Sequence, residues 1–232
     1  MSVVSAAKLV LVRHGQGSLG TDDYDRLSPL GERQASLTAA RLAPLRQRSH
    51  SLWSGALRRH RQTLAHMAAE SEATISADLD EYRVDHLIES AMAQAQTLAL
   101  EVPGDEAFAN PEAYLQTFLD WFPSVLEHWQ QARLVCQQNG QWQAFHQRVT
   151  RPLSAWQSQL RMGQDAVVVT SAGVISTVIA EATGQSLDYQ RALNVGLYNA
   201  SVSELGLGHD GQWQLLTVNC VDHLDNELRT LA

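Results

Sequence analysis

Arg13, His14 and Gly15 stand directly after the run Leu9-Val10-Leu11-Val12, and their types in that order point to phosphoryl chemistry. An imidazole beside a guanidinium can attack phosphorus while the arginine grips the non-bridging oxygens in a planar, charge-assisted contact. Glycine at 15 lets the backbone approach the anion because it has no Cβ in the way. The same tripeptide also suits a surface turn after a core strand, so its meaning depends on the elements that position it.

The branched apolar run reads as a buried parallel strand that delivers these groups to its carboxyl end, where open α/β sheets carry their sites. A helix follows, with Ser28 as N-cap, Pro29 at the first helical position and an apolar stripe through Ala35, Leu37, Ala39, Ala40, Leu42 and Leu45. The pattern then predicts a strand over 51–54, a helix over 56–70 and a third strand over 74–79 that ends in acids. Residues 85–139 change to helix and loop rich in Ala, Gln and aromatics, with breaks at Pro103-Gly104 and Pro111. They read as an insertion over the carboxyl end of the sheet, in which Trp121, Phe122 and Trp129 pack between helices rather than line a pocket. A helix over 141–162, a strand over 165–170, a helix over 174–183 closed by Gly184, and two strands over 200–207 and 213–218 complete the pattern. This alternation predicts an α/β three-layer sandwich with a mostly parallel central sheet, formed as one domain by residues 1–232.

Composition narrows the partners. A net charge of -8 argues against a nucleic-acid binder or a protein held on an anionic membrane, so any anion site is a local pocket. All but one of the 17 basic residues are arginine, and the cluster Arg41, Arg46, Arg48, Arg58, Arg59 and Arg61 reads mainly as solvated surface. Cys136 and Cys220 are far apart and unpatterned, and suggest neither a metal site nor a disulfide framework. The opening residues lack the signature of a secretion signal and no segment approaches a membrane span, so the cytoplasm is the expected location. Neither metal nor cofactor is expected. Oligomeric state is open.

Five ordered motifs carry a resemblance over nearly the whole chain: Arg13-His14-Gly15; Leu27-Ser28-x-x-Gly31-x-x-Gln34-Ala35; Ser54-x-x-Leu57-x-Arg59-x-x-Gln62-Thr63; Leu79-x-Glu81; and Val169-Thr170-Ser171-Ala172-Gly173, continuing to Val221-Asp222-His223-Leu224. Together they resemble the histidine phosphatase superfamily, also called the phosphoglycerate mutase-like family. The resemblance implies that His14 is the phosphoryl-accepting nucleophile, that Arg13 and Arg59 neutralise the phosphoryl oxygens, and that Glu81 is the proton donor. Asp80 and Asp85 are its rivals in sequence. Gln16, Ser171 and the Ala172 amide join the expected phosphate-binding positions.

The chain departs from the family at two places. Ser171 stands where members usually carry a second histidine, so a neutral hydroxyl replaces an imidazole that can bear charge. Its place at a helix start still offers amides to an anion. Two outcomes of a Ser171→His replacement stay open: recovery of a charged donor, or collision in a pocket reshaped around serine. The other histidines, His50, His60, His66, His86, His128, His146, His209 and His223, show no metal-ligand spacing and read as structural or surface residues. Gly17 and Gly20 replace the hydroxyl and asparagine that mutases usually carry, which favours hydrolysis of a small phosphorylated substrate or phosphoprotein over mutation. A mutase-like phosphotransferase and a weakened phosphate-ester binder remain the alternatives.

Overall fold

The computed structural model describes residues 7–18, 25–104 and 111–231. Leu9–Arg13 forms β1, and all five residues are buried. It pairs in parallel with β4 (Asp165–Thr170), which pairs in parallel with β2 (His50–Ser54), which in turn pairs in parallel with β3 (Ala73–Ile75). On its other side β5 (Val202–Leu207) runs antiparallel, followed by antiparallel β6 (Trp213–Cys220). The order is therefore β3-β2-β4-β1-β5-β6, a mixed and mostly parallel sheet with β1 near its centre.

Alternation along β1 separates its side chains between two helical layers. Val10 and Val12 pack with Val167 and Val169 of β4 against Leu42 of α1 (Pro29–Leu42) and Leu64 of α2 (Arg58–Ala65). Leu9 and Leu11 face the larger cluster, which includes residues of α3 (Val84–Leu98), α4 (Pro111–Gln130), α5 (Trp142–Thr150), α6 (Leu153–Arg161) and α7 (Ala172–Thr183). Burial of each such aliphatic side chain contributes about 1.5–3 kcal/mol, and covering both faces explains why the run is continuously apolar. The three-layer reading holds.

The helices α4 and α5 pack around Tyr82, whose ring lies 5.2 Å from those of Trp129 and Phe145 and 6.4 Å from that of Phe122. Phe122 and Trp129 are core residues, and the Trp121 indole nitrogen donates to the Glu101 carbonyl at 2.7 Å.

Several boundaries differ from the sequence expectation. The helix expected over 56–70 stops at Ala65, where the chain turns so that Met67 packs inward. The third strand ends at Ile75, because Ser76 accepts the Asp78 amide and a 3₁₀ turn over Ala77–Leu79 carries Leu79 into the core. The helix expected over 141–162 divides at Pro152, which has no N–H to continue the ladder. An unexpected helix, α8 (Leu187–Gly196), starts at Ser186, whose hydroxyl accepts the Tyr189 amide. Gly20, one of the two positions that depart from the mutase pattern, lies outside the described residues, as do residues 19–24 of the loop that follows β1.

Candidate active site

The backbone at the end of β1 is fixed from both sides. His14 N–H donates to the Thr170 carbonyl at 2.9 Å, and its own carbonyl accepts the Ala200 amide at 3.0 Å. The imidazole is oriented locally: Nδ1 lies 2.7 Å from the Gly15 carbonyl, which assigns its proton to that side and leaves Nε2 as the basic nitrogen. Arg59 Nε approaches that Nε2 at 3.1 Å. Burial, followed by the charges of Arg59, His60 and Arg13, holds the His14 pKa well below its ordinary value. The ring is neutral at pH 7 and keeps the lone pair that a nucleophile needs.

Gly15 lets this loop lie against the start of α1. A Cβ there would stand 2.3 Å from the Gly31 carbonyl oxygen, and one on Gly31 would stand 2.1 Å from the Gln16 carbonyl oxygen. The Gly15 amide donates to Thr63 of α2 at 3.1 Å, and Ser28 caps α1 by accepting from the Gly31 amide at 3.0 Å. Gly15→Ala is expected to cost about 1–3 kcal/mol through overpacking, read as a lowered midpoint in thermal unfolding. An unchanged midpoint would show that the two backbones separate freely.

Arg13 and Arg59 reach the site from different elements. Arg13 Nη1 donates to the carbonyls of Leu197 and Leu231, the latter at 2.8 Å. Arg59 is buried on α2 beside His60 and Thr63, with Nη1 on Asp25 Oδ1 at 2.7 Å. The other oxygen of Asp25 accepts the Arg58 amide at 2.8 Å, so one carboxylate both caps α2 and aims Arg59. Sequence reading missed Asp25; its place just before the Ser28 cap is only a faint signal.

Glu81 follows the turn after β3. One carboxylate oxygen accepts the Gly173 amide at 2.7 Å in the first turn of α7, and the other accepts the Tyr82 amide at 3.2 Å. Burial raises its pKa, against the opposing effects of those amides and of Arg59 and Arg13. Its rivals are engaged elsewhere: Asp80 accepts the Ala56 and Leu57 amides at 2.6 and 3.1 Å, and exposed Asp85 pairs with Arg83 at 2.7 Å.

Ser171 is the residue before α7 and makes no capping bond of its own. Its hydroxyl lies instead 2.6 Å from Nε2 of His60. Ala172, buried, opens the helix. Gln16 is tied to the α1 start, its side-chain oxygen accepting from the Ser28 hydroxyl at 2.9 Å and its amide donating to Gln34 at 2.8 Å. The structure thus brings His14, Arg59, His60 and Ser171 together and sets Glu81 against the same helix start. Gly17 forms a bridge with Leu27, and Ser18 is buried beside it. His223 belongs elsewhere, 2.9 Å from the Thr38 hydroxyl, as a structural histidine. Among the described residues no three His, Cys, Asp or Glu side chains group as metal ligands, and no helix is long and apolar enough to cross a membrane.

A neutral histidine at the carboxyl end of a central parallel strand, met by an arginine from the next helix but one and faced by a carboxyl at a third helix start, defines a class. The chain belongs to the histidine phosphatase superfamily (branch 1), whose sequence profile matches residues 9–112 and 109–221. Among solved structures it is similar to a mycobacterial glucosyl-3-phosphoglycerate phosphatase complexed with VO3, at 22% identity and a TM-score of 0.61, covering 93% of this chain and 100% of that one. It is also similar to the α-ribazole phosphatase of Shigella flexneri, at 19% identity and a TM-score of 0.59, covering 92% and 96%. A third is a phosphoserine phosphatase variant from Entamoeba histolytica with phosphoserine bound, at 17% identity and a TM-score of 0.58, covering 94% and 99%. These likenesses establish the shared fold. A comparison with curated proteins finds no match.

Proposed function

We propose that the protein is a metal-independent phosphomonoester hydrolase that works in the cytoplasm through phosphohistidine on His14. The observation that carries this reading is the neutral, buried His14, whose Nδ1 faces the Gly15 carbonyl while Arg59 stands 3.1 Å from Nε2. In the first step Nε2 bonds to phosphorus, the P–O bond to the alcohol breaks, and Glu81 gives its proton to the leaving oxygen. In the second, Glu81 as carboxylate takes a proton from water, the water oxygen attacks phosphorus, and His14 and inorganic phosphate are released. Arg13 and Arg59 supply positive charge to the phosphoryl oxygens, with Ser171, Gln16 and the Ala172 amide as further donors. Two guanidiniums can do the electrostatic work that a metal does in other phosphoryl transfers.

The substrate class is a small phosphomonoester, as the names of the structural relatives suggest. Release of phosphate should be measured in chelator against phosphorylated sugars, acids, nucleotides and a phosphopeptide, with trapping of labelled phosphate on His14. No release and no labelled histidine would overturn the reading; transfer of the label to a second substrate would instead identify a mutase.

The arginines separate cleanly in this reading. Arg58 is exposed and Arg61 forms a surface pair with Glu70 at 2.7 Å, whereas Arg59 is buried against His14. Arg59→Ala should therefore lose roughly 2–4 kcal/mol of transition-state stabilisation, by analogy with loss of an oxyanion donor. Arg58→Ala and Arg61→Ala should stay near wild type in kcat/KM. Equal losses at all three positions would place the phosphate elsewhere.

A further inference from the structure

The site holds a second imidazole, delivered from a different element than the one where the family carries it. His60 follows Arg59 on α2, is fully buried, and its ring centroid lies 5.4 Å from that of His14. Nε2 lies 2.6 Å from the Ser171 hydroxyl, at the position where the usual histidine is missing. The opposite nitrogen, Nδ1, is buried without a hydrogen-bond partner and lies 3.7 Å from Asp80 Oδ1. That carboxylate is itself held by two backbone amides, so it is a fixed charge rather than a wandering one. Gly55 makes room for the pair: a Cβ there would stand 2.1 Å from His60 Nδ1 and 2.8 Å from Asp80 Oδ1. Space, hydrogen bond and counter-charge are thus all arranged around an imidazole that sequence reading treats as structural.

A neutral imidazole satisfies only part of this arrangement. With its proton on Nε2 it donates to Ser171 and leaves Nδ1 bare; with its proton on Nδ1 it must accept the serine proton, and the hydroxyl then has nothing to donate outward. The doubly protonated ring resolves both: Nδ1–H faces Asp80, Nε2–H donates to Ser171 Oγ, and the serine O–H is free to donate to a phosphoryl oxygen. Resting on the phosphatase reading above, we propose that His60 is a positioning residue which takes a proton from solvent when the phosphoryl group binds, and turns Ser171 into a donor to that group. Asp80, His60 and Ser171 together thereby replace the second histidine of the family.

The charges around His60 decide when this happens. Burial pulls its pKa down to about 4, assisted by Arg59 and opposed by Asp80 and more distantly Asp25; His14, on the other side, is neutral. The resting ring is therefore neutral at pH 7. A bound phosphoryl dianion offsets Arg59 and adds negative charge beside the ring, and both changes favour its protonation.

The arrangement also chooses between the two outcomes of Ser171→His that the sequence leaves open. A histidine introduced at 171 meets His60, so Ser171→His alone should fall in activity, whereas Ser171→His combined with His60→Ala returns the imidazole to α7 and vacates the space. The test compares kcat and KM for wild type, His60→Ala, His60→Gln, Ser171→His and the double variant, with proton uptake on vanadate binding measured calorimetrically in two buffers. His60→Ala and His60→Gln should lose about 100-fold in kcat, by analogy with loss of one preorganised donor. The double variant should regain most of that loss. Wild type should take up more protons with vanadate at pH 7 than His60→Gln, which keeps a neutral side chain of similar reach and guards against a fold defect. Equal proton uptake, or a double variant no better than His60→Ala, overturns the proposal. A wild type that binds vanadate but hydrolyses nothing overturns the phosphatase reading instead, and the proton count still decides the role of His60.

Discussion

His14→Ala is expected to abolish turnover, by at least about 10⁴-fold, while the protein still unfolds cooperatively near the wild-type temperature. The side chain can be lost without losing the strand, because β1 is held by ladder bonds to β4 and β5 and by four apolar residues, while His14 contributes its backbone to the Thr170 and Ala200 contacts. Removal of the ring also frees Arg59 Nε from its 3.1 Å contact, so inorganic phosphate should still bind. Near wild-type hydrolysis by a pure sample, or phosphate label appearing on another residue, would remove His14 from the mechanism.

Glu81→Gln should show an effect that depends on the leaving group. An alkyl phosphate needs a proton on the departing oxygen, so its rate should drop by about 10²–10⁴-fold, the span typical of general acid catalysis. An activated aryl phosphate needs little protonation and should lose far less in its first step. The pH profile follows from the same groups. Activity rises as pH climbs through the lowered pKa of His14, because only the neutral ring attacks. It falls as pH climbs through the raised pKa of Glu81, because the ionised acid has no proton to give. Glu81→Gln should erase that alkaline limb for the alkyl substrate. Equal loss for both substrate classes, with the limb intact, would reassign the acid.

The strand, and the placing of Arg13 and His14 at its end, were legible because burial on both faces leaves a continuous apolar run that stops at these two adjacent residues. Glu81 and Arg59 were reached through motif spacing; composition would not have distinguished Arg59 from Arg58 or Arg61. His60 was not legible. Its partners, Ser171 and Asp80, are 111 and 20 positions away, and nothing local marks a histidine on a helix as one whose nitrogen will meet a serine on another. The helix α8 escaped for a related reason: it is capped by Ser186, but the residues it buries, Gln190 and Asn194, are polar and are satisfied by side chains of other elements, such as Ser176 and Tyr82.

The two carbonyls that fix Arg13 also set a timetable. They lie 184 and 218 positions further along the chain, so at about 5–20 residues per second the arginine leaves the ribosome on the order of 10–40 s before its last partner exists. Until β4 (Asp165–Thr170) has been made, β1 is an apolar strand without either of its sheet neighbours, since β5 comes later still. Such long-range closure slows folding and exposes a sticky edge to other chains. His14 is thus made long before Thr170 and Ala200, the residues that fix its backbone, so its surroundings take shape only once distant parts of the chain have been synthesised.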